Sequence, residues 1–139
     1  MNTANEFLIE NHVLVKYTGA GGDVAVPEDV TEIGPRAFAD AVGLKTVILP
    51  ESLKKIGADA FLNCSNLENL VIPAGVKTIG GFAFVGCSKL DLTFKGEKTK
   101  LAKMSVIDVD CRMVIFGPEG STAQKYAEEK NLTFIALEA

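Results

Sequence analysis

A period of 23 residues constrains this chain more than any other feature. Segments 24–46 (VAVPEDVTEIGPRAFADAVGLKT), 47–69 (VILPESLKKIGADAFLNCSNLEN) and 70–92 (LVIPAGVKTIGGFAFVGCSKLDL) align without a gap. Pro27, Pro50 and Pro73 coincide, as do Ile33, Ile56 and Ile79, and Gly34, Gly57 and Gly80. So do the Ala-Phe pairs at 37–38, 60–61 and 83–84 and the leucines Leu44, Leu67 and Leu90, which makes six invariant positions per copy. Three further positions stay aliphatic: Val24/Val47/Leu70, Val26/Leu49/Ile72 and Val30/Leu53/Val76. A unit this short cannot bury its own apolar face, so identical units must stack, and each invariant position becomes a column at the strand spacing of about 4.8 Å.

Each unit has a legible plan. Alternation such as Val47-Ile48-Leu49 marks a strand, and Pro50 ends it because proline cannot donate to a ladder. A second short strand, such as Leu53 to Ile56, runs to a glycine read as the permissive backbone of a corner, and the Ala-Phe segment suits one helical turn. Beyond residue 90 the pattern loses one residue, so that Leu92 and Phe94 take the inward positions of Leu70 and Ile72. Val114 and Phe116 then repeat them at a step of 22. The reading is one domain over 1–139: an N-terminal cap (1–23), three repeats (24–92), a degenerate fourth coil (93–116) and a C-terminal cap (117–139). In the first cap FLIE and VLVKYT flank Asn11-His12 as a β-hairpin. In the second, Ser121 and Gln124 form a capping box for a helix over about 122–130, ahead of a last strand LTFIAL.

IGPRAFADAVGL, IGADAFLNCSNL and IGGFAFVGCSKL resemble the IGxxAFxxCxxL pattern of the BspA-type leucine-rich repeat family, with Ala41 standing where that pattern has Cys. The flanks ENHVLVKYTG and GSTAQKYAEEKNLTF resemble those that bracket such repeats. The resemblance implies an α/β leucine-rich-repeat solenoid, right-handed, with short strands and one short helical turn per coil. It also implies a bacterial cell-surface or secreted adhesion protein that contacts other proteins.

The chemistry-bearing residues are sparse, and the expectation is no enzyme, no cofactor and no metal. Cys64 and Cys87 hold equivalent positions; they read as stacked buried thiols, a disulfide between them being disfavoured by parallel side chains. Cys111 has no repeat partner, and His12 stands in the hairpin turn with no second ligand near it in sequence. Gly117 to Thr122 lacks the lysine and spacing of a phosphate loop, and Asp108 with Asp110 lacks the remaining positions of a cation loop. The sequons at Asn63 and Asn131 matter only in a secretory eukaryote.

Fourteen basic against eighteen acidic residues give a net charge of −4, so no global field draws nucleic acid or an anionic membrane. No apolar run reaches the ~18 residues of a span, and MNTANEFLIEN does not read as a signal peptide. Two surface features remain. Ala25, Ile48, Val71, Thr93 and Ile115 are expected to point outward from the first strand of each coil as an apolar stripe, flanked by Thr46 and Asn69. Such a stripe is either a protein-binding face or simply the preference of strands for β-branched residues. Lys54, Lys55, Lys77, Lys95, Lys98, Lys100 and Lys103 form a basic face that is either solvated or meets an acidic partner. The leading expectation is a protein-binding module, monomeric or weakly self-associating, without membrane insertion; the rival is a spacer with no ligand of its own.

Overall fold

The computed structural model describes residues 6–102 and 113–137. In chain order its elements are β1 (Phe7–Glu10), β2 (Val13–Tyr17), β3 (Gly22–Ala25), β4 (Glu32–Ile33), β5 (Leu44–Ile48), β6 (Lys55–Ile56) and β7 (Asn69–Ile72). There follow β8 (Thr78–Ile79), β9 (Asp91–Phe94), β10 (Lys100–Leu101), β11 (Val114–Gly117), α1 (Thr122–Glu129) and β12 (Thr133–Ala136). The chain winds as a solenoid and deposits one strand of each coil in each of two sheets. The first sheet runs β1-β2-β4-β6-β8-β10 and the second β12-β11-β9-β7-β5-β3. Every pairing is parallel, as coiling demands, except the β1–β2 hairpin, whose Asn11 and His12 both take left-handed φ (52° and 66°).

The repeat columns become the core. Ile33, Ile56 and Ile79 from the first sheet, Val24, Val47 and Leu70 from the second, and Val30, Leu53 and Val76 between them are buried. The third side is closed by Phe38, Phe61 and Phe84, each about 1% exposed or less. Phe61 stacks on Phe38 at 4.9 Å and on Phe84 at 5.6 Å. Tyr17 extends the column by packing on Phe38 at 5.1 Å, with Phe7 behind it at 5.7 Å.

The Ala-Phe segments are built from successive turns, because each contains two left-handed residues four apart: Arg36 and Asp40, Asp59 and Asn63, Phe82 and Gly86. Alternate amides close i→i−3 turns, as from Ala37 to Gly34 and Ala39 to Arg36. Those between, on Arg36, Phe38 and Asp40, donate to the carbonyls of Ala58, Ala60 and Leu62 in the next coil. The turns therefore continue the ladder between coils on the third side.

The column glycines are needed for a different reason from the one the sequence suggested. Gly34, Gly57 and Gly80 do not have positive φ. A Cβ would instead strike the preceding coil: 2.9 Å from the Leu14 carbonyl oxygen at Gly34, 2.8 Å from Pro35 N at Gly57 and 2.5 Å from Ala58 N at Gly80. Close approach of backbones, and no special dihedral, excludes a side chain here.

One register expectation is overturned. Leu92 pairs with Leu70 and Phe94 with Ile72, the step of 22 read from the sequence, and both are fully buried. The next step returns to 23, pairing Ile115 with Leu92 and Phe116 with Thr93. Ile115 is therefore 0% exposed in the core, while Val114 and Phe116 lie half-buried on the outer face. A slip of one residue reverses every side chain of a strand. At the strand's end Gly117 falls over Phe94, and α1 packs beside it, the Ala123 Cβ lying 3.6 Å, an ordinary contact distance, from where a Gly117 Cβ would stand. Helix α1 buries Ala123, Tyr126 and Ala127 against this end, and its first turn is closed by Ser121 accepting from Gln124 N (3.2 Å).

Candidate protein-binding face

Alternation along the second sheet divides its strands into a buried set and an outward set. The outward row runs Ala25 to Ile48 by direct pairing, and Val71 follows at the position after the paired Val47 and Leu70. It continues through Val71–Thr93, Thr93–Phe116 and Phe116–Ile135. Ile48 is 69% exposed and Val71 43%, whereas their chain neighbours Val47, Leu70 and Ile72 are buried; Ile135 is 47% exposed, beside half-buried Phe134 and exposed Ala136. Ala25 is also exposed, and Thr93 and Phe116 are half-buried.

Of the seven residues singled out from the sequence, six lie on this face: Ala25, Thr46, Ile48, Asn69, Val71 and Thr93. Ile115 does not, its place being taken by Phe116. Ile135 also went unread, because β12 follows a helix and falls outside the 23-residue period. Counting 23 from Leu92 and Thr93 would have found Phe116.

A polar row borders the apolar one. Asp23, Thr46, Asn69 and Asp91 pair successively across four strands. Thr46 Oγ1 donates to Asp23 Oδ1 at 2.7 Å, and Asp91 Oδ1 accepts from Val114 N at 3.0 Å. Between the rows, Thr46, Ile48, Glu51, Asn69 and Val71 ring a depression of about 210 Å³. The arrangement is an apolar strip with a polar border and a shallow central hollow, which suits a side chain of a partner surface better than an enclosed small molecule.

The other chemistry-bearing residues lie elsewhere. Cys64 and Cys87 are buried thiols whose Sγ atoms donate to the carbonyls of Phe38 (3.1 Å) and Phe61 (3.0 Å). Interaction with the neighbouring Cys87 side chain draws the Cys64 pKa down, against the upward effect of burial. His12 Nδ1 lies 3.0 Å from the Asp29 carbonyl oxygen in an exposed turn. Among the described residues no group of three His, Cys, Asp or Glu side chains is placed to hold a metal, and no helix is long and apolar enough to cross a membrane. Cys111, Asp108, Asp110 and Lys103 lie outside the described residues.

Parallel short strands, a coil repeat of 22–23 residues and buried leucine and isoleucine columns define a leucine-rich-repeat solenoid. The chain belongs to the BspA type leucine-rich repeat family, six copies of whose repeat match over residues 16–127. That match extends the repeat beyond the three clear units into the hairpin at one end and α1 at the other. None of the curated proteins matches the sequence significantly.

Solved structures share the fold. A leucine-rich repeat protein of Eubacterium ventriosum superposes with a TM-score of 0.65 at 18% identity, over 86% of this chain and 36% of its own. The T. pallidum leucine-rich repeat protein gives 0.59 at 21% identity, over 81% of this chain and 69% of its own. A leucine-rich cell surface protein of Faecalibacterium prausnitzii gives 0.55 at 20% identity, over 80% of this chain and 42% of its own. This chain thus spans less than half of two of these three proteins.

Proposed function

We propose that the protein is a non-enzymatic binding module that holds another protein against the outward row of its second sheet, with Ile48 and Val71 as the central apolar anchors. The observation that carries this reading is the in-register exposure of Ile48 and Val71 between buried chain neighbours, continued by half-buried Phe116 and exposed Ile135. A strand in this position satisfies its packing with the inward set alone, so the outward aliphatics add little to stability. Apolar side chains clustered at the centre of a patch are where binding energy concentrates. A role at a bacterial cell surface, in adhesion to a protein of a host or neighbouring cell, accords with family membership and with the likeness to the F. prausnitzii cell surface protein.

Site-specific crosslinking tests the reading. A photoreactive side chain at position 48 or 71 should capture a partner from material of the source cells or their surroundings. The same group at Lys16, exposed on the first sheet, should not. Equal capture from Lys16, or none from 48 and 71, would favour a spacer without a ligand.

A further inference from the structure

A second surface, at the corner between the two sheets, carries opposite chemistry. Lys54, Lys77, Lys95, Lys98 and Lys100 line one open groove of about 750 Å³. Three of them are stacked by the coiling itself: the Lys77 amide donates to the Lys54 carbonyl (2.8 Å) and the Lys100 amide to the Lys77 carbonyl (2.9 Å). Their backbones are thus about one strand spacing apart. The groove stays open because Ala74, Gly75 and Gly96, which also line it, have almost no side chain.

We propose that this groove binds a sulfated polysaccharide, laid along the solenoid axis across successive coils. The charge arrangement is the first ground. In a chain of net charge −4, the described residues of the groove are five lysines and one carboxylate, Glu97, among small or neutral neighbours. Both ion pairs among the described residues belong to Arg36, with Asp40 and Asp59, and none involves these lysines. A row of uncompensated like charges repels itself and is relieved by a linear polyanion, which releases its own counterions on binding.

The groove lining selects among polyanions. Among the described residues that line it, no aromatic ring is present to stack a nucleobase, and no exposed apolar side chain offers a pocket to anchor a peptide. The cations are all lysines. An ammonium is a compact point charge without the planar fork that arginine presents to a carboxylate, and it satisfies a tetrahedral sulfate from any direction.

Heparin is the probe. A protein with a pI near 5.0 carries net negative charge at pH 7 and has no reason to adhere to a polyanion except through a local patch. The expected result is retention on immobilised heparin at about 50 mM salt and release as salt rises. The combined variant Lys54→Gln, Lys77→Gln, Lys98→Gln should bind roughly a hundredfold more weakly with an unchanged melting curve. Glu97→Gln, whose side chain makes no ion pair among the described residues, should elute at higher salt than the wild type. Flow-through of the wild type, or equal retention of the triple variant, would overturn the proposal. Displacement by poly-glutamate as effective as by free heparin, at matched charge, would overturn the choice of a sulfated polysaccharide. Ile48→Asp should leave heparin retention intact, which separates this groove from the face on the second sheet.

Discussion

Phe38 and Phe61, 23 residues apart in sequence, lie ring on ring with centroids 4.9 Å apart and planes only 5° from parallel. One repeat length has become one ring-to-ring spacing. Tyr17, Phe38 and Phe61 each pack on two ring neighbours, so damage to one coil is felt by the next.

Phe61→Ala removes the middle ring of the column, which is fully buried between Phe38 and Phe84. Denaturant unfolding should show a loss of about 3–5 kcal/mol. Phe61→Leu, which keeps most of the volume, should cost clearly less. A loss below about 1 kcal/mol for the alanine variant would mean that the column collapses onto the gap.

The glycines give a paired test of close approach. Gly57→Ala places a methyl group 2.8 Å from Pro35 N and 3.1 Å from the Ile33 carbonyl oxygen, both backbone atoms of the preceding coil. It should destabilise by about 1–3 kcal/mol, the range of overpacking. Gly75→Ala meets first the flexible end of Lys54, at 3.2 Å, and should be close to neutral. Similar melting temperatures for the two variants would refute the steric explanation.

Tyr17 links the fold to pH. Burial raises its phenol above the ordinary value of 10.0, outweighing the amide of Gly21, which donates to its oxygen at 2.8 Å. A raised pKa means that the folded state holds the proton more tightly than the unfolded chain. This contribution is complete below about pH 10 and is lost as pH rises through the folded pKa. Tyr17→Phe should therefore flatten the decline of stability in the alkaline range, measured as the difference from wild type in melts at pH 8 to 11 (about 3 units spanning the phenol pKa). Parallel declines in the two proteins would refute the assignment.

Ile48 and Ile115 test the register of the second sheet. Ile115→Asp buries an unpaired carboxylate in a position with no exposure and should prevent folding or lower stability by several kcal/mol. Ile48→Asp, on a side chain that is 69% exposed, should change stability by about 0.5 kcal/mol or less. Tolerance of Ile115→Asp would restore the step of 22 between β9 and β11.

These contrasts show what a repeat makes legible. Pro50, Ile56, Phe61 and Leu67 each recur at a fixed interval, so column and coil follow from alignment alone. The six residues of the outward face found from sequence were accessible by the same counting. Ile115 was misplaced because the single deletion before Leu92 was extended to the next coil. The pairing of Ile115 with Leu92 and of Phe116 with Thr93 shows that the period recovers. The role of Gly57 was equally hidden, since a glycine required by a neighbouring coil and one required by its own dihedral look alike in sequence. Tyr17 joins the aromatic column from outside the period, through the hairpin, and no spacing announces it.

The most direct test of the binding face is the affinity of the double variant Ile48→Asp, Val71→Asp for the partner captured by wild-type protein, measured beside its melting temperature. The melting temperature should stay within about 3 °C of wild type and binding should weaken roughly thirtyfold or more. Wild-type affinity in a folded double variant would contradict the proposed binding face and would leave the row as strand-forming residues without a ligand.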